Sequence, residues 1–248
     1  MIYRRLIRIS VFVAFMFLQP LGLVFASSKL TFYTVNFPPY LLKNPDEDGL
    51  RGFDVEVVIE AFRRVGTEAD VQFLPWKRVI SLSKEGRIAG AVSCVRQTER
   101  EAFFWFSEPI SFSTQTFVYT NRYNGRTLKK VIDAKGLKVL VVAGYSAETE
   151  LKEAAVSYET AVSDQAAIIR LLERPYDVFY TVREFMEYTA RKQGFSDRIS
   201  FFDISRNPYH LCISKGWPDS EKVRKDFNEG LAEIIADGTY KKIHDKYR

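Results

Sequence analysis

LKVLVVAGYSAETELKEAAVSYETAVSDQAAIIRLLERPYDVFYTVREFMEYTARKQG, residues 137–194, parses into strand LKVLVVAG, helix SAETELKEA, strand AVSYE, helix SDQAAIIRLLE, strand YDVFYTV and helix EFMEYTARKQG. Strands alternating with helices in units of this length predict a mostly parallel sheet wrapped by helices. The first part of the chain repeats the scheme. The strand KLTFYTVNF (29–37), rich in β-branched and aromatic residues, stops at Pro38-Pro39. The segment FDVEVVIEAFRRVG (53–66) carries Val55, Val58, Ile59 and Phe62 at helical spacing and ends on Gly66. Strand ADVQFL, helix WKRVISLSKEG and strand IAGAVSC follow, so the chain holds two α/β halves.

Two extended runs without helices flank the second half: TQTFVYTNRY (114–123) and NPYHLCISKG (207–216). They predict that the chain crosses between the halves twice. The last stretch, from Asp219, is helical, with Val223, Phe227, Leu231, Ile234 and Ile235 on one stripe, and is expected to return over the first half.

The beginning of the chain has the form of a secretory leader. Arg4, Arg5 and Arg8 precede an apolar run from Ile9 to Leu18, and Val24-Phe25-Ala26 supplies a small residue for cleavage. The apolar run is broken at Gln19-Pro20, short of the ~20 residues that a membrane span needs. Cleavage after Ala26 is expected, with no lipid-accepting cysteine nearby and the mature protein free in the periplasm. It removes three arginines and no acids, so the net charge of +5 becomes 5 − 3 = +2 over 248 − 26 = 222 residues. That length suits one large domain or two compact lobes. Scattered pairs such as Lys129-Lys130 and Lys241-Lys242 read as solvated faces, and no nucleic-acid partner is expected. Two histidines, His210 and His244, and two cysteines, Cys94 and Cys212, offer no metal-ligand spacing, so neither a metal nor a cofactor is expected. In an exported chain the cysteines either pair or stay buried as thiols.

NFPPY (36–40), GLRGFDVEVVIEAFRRVG (49–66), TEREAFFWFSEPI (98–110), LKVLVVAGYSAE (137–148) and EGLAEIIADGTYKKIHDKY (229–247) stand in an order that resembles the bacterial extracellular solute-binding proteins of the polar amino-acid type, family 3. The resemblance implies a two-lobed, type II periplasmic-binding-protein-like α/β fold, each lobe a mainly parallel sheet wrapped by helices, joined by a two-strand hinge. Lobe one would comprise 27–113 plus 208–248, lobe two 114–207, and residues 1–26 the leader. The family topology makes Cys94 and Cys212 neighbours in lobe one.

In open α/β sheets ligands sit beyond the carboxyl ends of the strands, here the loops NFPPYL, SCVRQTER, AGYSAE and YTVREF. A guanidinium supplies two parallel hydrogen bonds to a carboxylate and keeps its charge. Arg100 stands where the family's T-P-E-R motif places a carboxylate-binding arginine, although here the motif reads Gln97-Thr98-Glu99-Arg100, with the threonine shifted and the proline missing. The competing reading is a surface arginine paired with Glu99 or Glu101, which would contribute under ~1 kcal/mol. Arg96 is a second cation, either contacting the ligand or facing solvent, and Ser93 follows a strand end. Tyr40 and Trp76 could cover a ligand's carbon skeleton. Phe37 reads as core, as do Phe103, Phe104 and Phe106 beneath an FSEP turn. Gly144-Tyr145-Ser146 resembles the family's G-T-T loop, with Tyr145 in place of a small hydroxyl residue and Ser146 as helix N-cap.

One departure stands out. Amino-acid binders of the family follow the threonine of V-V-T-D with an aspartate that neutralises the ligand's α-ammonium; here Thr181 is followed by Val182. Glu184 is the available substitute. The leading reading is a periplasmic solute-binding protein, monomeric, that closes on a small polar or carboxylate-bearing solute and hands it to an inner-membrane ABC permease. The alternatives are a cyclohexadienyl-dehydratase-like enzyme on the same fold, with Glu184 or Glu99 as acid or base, and a sensory ligand-binding protein that docks on a membrane receptor.

Overall fold

The computed structural model describes residues 29–247; the leader expected at 1–26 lies outside them. The first half contains β1 (Leu30–Thr34), α1 (Phe53–Arg64), β2 (Ala69–Phe73), α2 (Trp76–Lys84), β3 (Gly90–Cys94) and the short α3 (Thr98–Glu101). The long strand β4 (Phe104–Thr120) leads into β5 (Val139–Val142), α4 (Ser146–Glu153), β6 (Tyr158–Ala161), α5 (Asp164–Glu173), β7 (Val178–Val182) and α6 (Arg183–Gln193). A second long strand, β8 (Ile199–Ser214), returns to α7 (Ser220–Ala236) and α8 (Thr239–Asp245).

The strands form one sheet in the order β2-β1-β3-β8-β4-β7-β5-β6. Its two ends are parallel: β1 pairs with β2 and β3, and β5 pairs with β6 and β7. The middle is antiparallel, because β4 and β8 run against one another from Phe104↔Ser214 to Thr120↔Ile199. β3 joins this pair at the β8 end containing Cys212, and β7 joins it at Gln115 to Val118 of β4. The two lobes therefore share the β4–β8 pair as their hinge, and each is a mixed sheet with helices packed around it.

The hinge strands begin well before the sequence expectation. The sequence reading starts the first crossing at Thr114 and takes Phe103, Phe104 and Phe106 as core beneath an FSEP turn, yet β4 already begins at Phe104. Pro109 does not end the strand because the ladder shifts register on both sides of it, between Phe106 and Pro109 and between Pro109 and Ser111. A proline fits where the ladder asks for no amide donor.

Helix α7 returns over lobe one as its apolar stripe predicts: Val223, Phe227, Leu231 and Ile234 are buried, and Phe227 lies 5.2 Å from the ring of Phe62 on α1. Ile235 departs from the expectation and is exposed. The α1–α7 approach requires Gly230, since a Cβ there would stand 1.9 Å from the carbonyl oxygen of Ala61. Gly52, at φ 96°, plays a similar part ahead of α1, where a Cβ would meet the Tyr40 carbonyl oxygen at 2.3 Å. Cys94 and Cys212, left open between thiols and a bond, are joined as a disulfide that ties β3 to β8.

Candidate functional site

A cavity opens between the lobes where β1, β3, β5 and β7 end. Lobe one contributes Trp76, Ser93 and Arg100 and lobe two contributes Tyr145, Ser146 and Thr181. The hinge strands add Gln115 and Tyr209. Outside it lies a wider cleft that shares Val35, Trp76 and Tyr145 with the cavity and is lined further by Lys43, Lys77 and Asp164. The cavity has a volume of about 60 Å³ and the cleft about 620 Å³.

Arg100 is placed by α3, the single turn that follows the β3 strand end. Its side chain is 7 % exposed, donates from Nη1 to the Val95 carbonyl at 3.0 Å and lies 5.5 Å from the Trp76 ring. Neither neighbouring glutamate forms an ion pair with it, although the charge of Glu99 acts on it favourably from a distance. Glu99 is exposed, and Glu101 accepts from Arg96 at 2.7 Å. Burial lowers the Arg100 pKa to about 10, a measure of how poorly the surroundings compensate the charge. A guanidinium has five donors, so this one retains a fork for an anion.

Ser93 sits beside it with φ 58°, a left-handed conformation that costs a serine free energy and marks a position fixed by its surroundings. Its hydroxyl donates to Asp54 Oδ2 at 2.6 Å, and Ser111 donates to the same oxygen at 2.9 Å. Asp54 is fully buried in the first turn of α1, and burial pushes its pKa up to about 7 against the effect of these two hydroxyls. It therefore braces the cavity wall from behind.

On the other side, Tyr145 donates its hydroxyl to Asp164 Oδ2 at 2.7 Å. Tyr145 itself occupies the N-cap position of α4 and Ser146 is the first helical residue, so the expected Ser146 cap is displaced by one. Phe37, read from the sequence as core, lines the cavity and stacks on Phe185 of lobe two at 4.5 Å and 7°. That contact holds the lobes together across the cleft. Two oxygens in the cavity lining, Gln115 Oε1 and Thr181 Oγ1, are buried without a hydrogen-bond partner.

Of the nine residues expected from the sequence, the structure gathers Trp76, Ser93, Arg100, Tyr145, Ser146 and Thr181 around one cavity. Three stand apart from its lining. Tyr40 is 1 % exposed and donates to the Phe112 carbonyl at 2.9 Å, so its ring is spent on lobe-one packing. Arg96 is exposed, held by Glu101 and lying over Phe106. Glu184 accepts from the amide and the hydroxyl of Thr114, at 3.0 and 2.8 Å, and so anchors α6 to the hinge strand. It does not occupy the place of the absent aspartate. Gln115 and Tyr209 carried no signal in the sequence beyond membership of the two crossing strands. Among the described residues, no group of three or more His, Cys, Asp or Glu is placed to hold a metal ion.

Comparison with known proteins agrees with this architecture. L-cystine-binding protein TcyJ of Escherichia coli K12 is 26 % identical over 215 residues, covering 85 % of this chain and 79 % of that protein. L-cystine-binding protein TcyA of Bacillus subtilis 168 is 24 % identical over 213 residues, covering 85 % and 77 %. The solved structure of an ancestral arginine-binding protein bound to arginine superposes with a TM-score of 0.74 at 25 % identity, over 88 % of this chain and 97 % of that one. The model of the family described as bacterial extracellular solute-binding proteins, family 3, matches residues 31–248, and the chain belongs to that family.

Proposed function

We propose that the protein captures a small, polar, carboxylate-bearing solute between its lobes in the periplasm and, as a monomer, delivers it to an inner-membrane ABC permease. The observation that carries the reading is Arg100: a buried guanidinium with one backbone hydrogen bond and, among the described residues, no carboxylate partner, facing a cavity between two lobes. A buried cation left in this state is costly, and an anionic ligand relieves the cost. Gln115 Oε1 and Thr181 Oγ1 add a demand for hydrogen-bond donors on the same ligand. The closing bodies are residues 27–113 with 208–248 and residues 114–207, hinged on β4 and β8. The ligand stabilises the closed state by contacting both. The named relatives bind amino acids or cystine, which favours an amino-acid-like solute.

A thermal-shift screen over amino acids, dicarboxylates, amines and short peptides tests the reading. Carboxylates are expected to raise the unfolding temperature and amines without a carboxylate to leave it unchanged. A screen in which only uncharged or purely cationic compounds bind would overturn the assignment.

A further inference from the structure

Among the described residues, the lining of the inner cavity carries one formal charge, that of Arg100, and no carboxylate. An α-amino acid with its carboxylate on Arg100 would carry its ammonium into surroundings where only neutral oxygens, Gln115 Oε1 and Thr181 Oγ1, could receive it. An ammonium removed from water without a counter-charge is strongly disfavoured. The lining of the outer cleft, by contrast, includes a carboxylate with capacity to spare. Asp164 is 8 % exposed; its Oδ2 takes the Tyr145 hydroxyl at 2.7 Å, while beyond the carboxylate's own backbone amide no other described residue donates to its buried Oδ1. Val35, Trp76 and Tyr145 line both compartments, so the cavity that holds Arg100 adjoins the cleft that holds Asp164.

We propose that Asp164 is a cation-binding subsite, and that the ligand is an elongated zwitterion with its carboxylate on Arg100 and its ammonium several bonds away on Asp164. This rests on the carboxylate-binding reading of Arg100 given above. Asp164 lies in the first turn of α5, where the helix dipole favours an anion. That, with the residue's own backbone amide, offsets part of the cost of the aspartate's charge and leaves Oδ1 without a donor from any other described residue. The other charged groups lining the cleft, Lys43 and Lys77, are exposed and screened by water. Asp54, the other carboxylate with an unpartnered buried oxygen, lies behind Ser93 and lines neither compartment. Burial raises the Asp164 pKa to about 6, and a cation against it would stabilise the ionised form.

The test is calorimetric titration of the wild-type protein with pentanoate, 2-aminopentanoate and 5-aminopentanoate, and with the 4- and 6-carbon homologues of the last. An ω-amino acid of one of these lengths is expected to bind about 10-fold or more tightly than both pentanoate and 2-aminopentanoate. Asp164→Asn, which keeps an acceptor for the Tyr145 hydroxyl, should bring that ligand and pentanoate to the same affinity as one another, so that the ratio between them, read within the variant, collapses. Asp164→Glu, which keeps the charge and extends the side chain by one methylene, should keep the preference and move it to a shorter ligand. This arm gives a gain that a misfolded variant cannot mimic. If 2-aminopentanoate binds as well as every ω-amino acid, or Asp164→Asn keeps the ω-preference, the subsite is wrong while the Arg100 reading stands. If none of these carboxylates binds, or Arg100→Ala leaves their binding intact, both readings fall.

Discussion

Gln115 on β4 stands directly opposite Val182 on β7 in the antiparallel ladder, and both line the interlobe cavity. Directly opposed residues of such a pair project from the same face of the sheet. The position where amino-acid binders of the family present an aspartate is therefore filled by a valine, with a neutral amide across the strand. Val182→Asp should restore an ammonium site. Binding of 2-aminopentanoate is expected to tighten about 10-fold or more relative to pentanoate, as a charge-assisted hydrogen bond would give. The ligand-free variant should unfold at a lower temperature, because a new carboxylate is buried beside an apolar wall. Titration of the two acids against both proteins decides it; an unchanged ratio would show that the ammonium of an α-amino acid does not reach Val182.

Arg100 separates binding from stability. Truncating one member of a buried charged contact typically costs about 2–5 kcal/mol of affinity, or more than about 25-fold. Arg100→Ala should therefore abolish ligand-induced thermal stabilisation at ordinary ligand concentrations. Arg100→Met fills much of the same volume without the uncompensated charge, so the ligand-free protein should unfold at the wild-type temperature or above it. Scanning calorimetry of both variants with and without ligand reads the two effects apart. Arg96→Ala, which removes an exposed ion pair with Glu101, should alter the unfolding free energy by less than about 1 kcal/mol.

The disulfide joins the strand carrying Ser93 to hinge strand β8, across 118 residues of sequence. Closing so long a loop limits the unfolded chain and contributes about 2–5 kcal/mol in comparable domains. It also pins the segment from Ser93 to Arg100. Reduction should lower the urea midpoint and weaken ligand binding together, and thiol titration of the unfolded, unreduced protein should find no free cysteine. Retention of full affinity after complete reduction would show that the Ser93–Arg100 segment holds its shape without the bond.

The alternating strands and helices were legible because each buries one stripe or face, and the periodicity of Val55, Val58 and Phe62 or of Val223, Phe227 and Leu231 records this directly. The hinge strands were legible in their second halves and concealed in their first. Pro109 and the serines around it read as a turn, and the register shifts that admit a proline exist only against β8. The same division runs through the site. Ser93 at the end of β3, Arg100 in the short turn of α3 that follows and Tyr145 at the N-cap of α4 stand at or just beyond strand ends, where local sequence marks them. Gln115 and Tyr209 meet the cavity because two distant strands cross there. Phe37 is core, as its sequence suggests, and its part in the cavity lining was hidden because its stacking partner, Phe185, belongs to the other lobe. Glu184 looked available until Thr114, seventy residues earlier, supplied it with two donors.

Asp54 makes stability depend on pH in a definite direction. Burial holds its folded-state pKa at about 7, above the ordinary aspartate value of 3.8. Between these values the folded protein retains a proton that the unfolded chain has released. Stability therefore falls as pH rises through this window, by up to about 1.4 kcal/mol per pH unit for one group. Asp164, raised to about 6, acts in the same direction over a narrower range. Asp54→Asn keeps an acceptor for the hydroxyls of Ser93 and Ser111 and removes the titration. The difference in unfolding free energy between this variant and wild type should consequently shift in the variant's favour from pH 5 to pH 7.5 and level off above that. Urea titrations at four pH values measure the difference, in which groups common to both proteins cancel. A difference that stays constant across the range would mean that Asp54 is ionised throughout, its charge carried by the two serine hydroxyls.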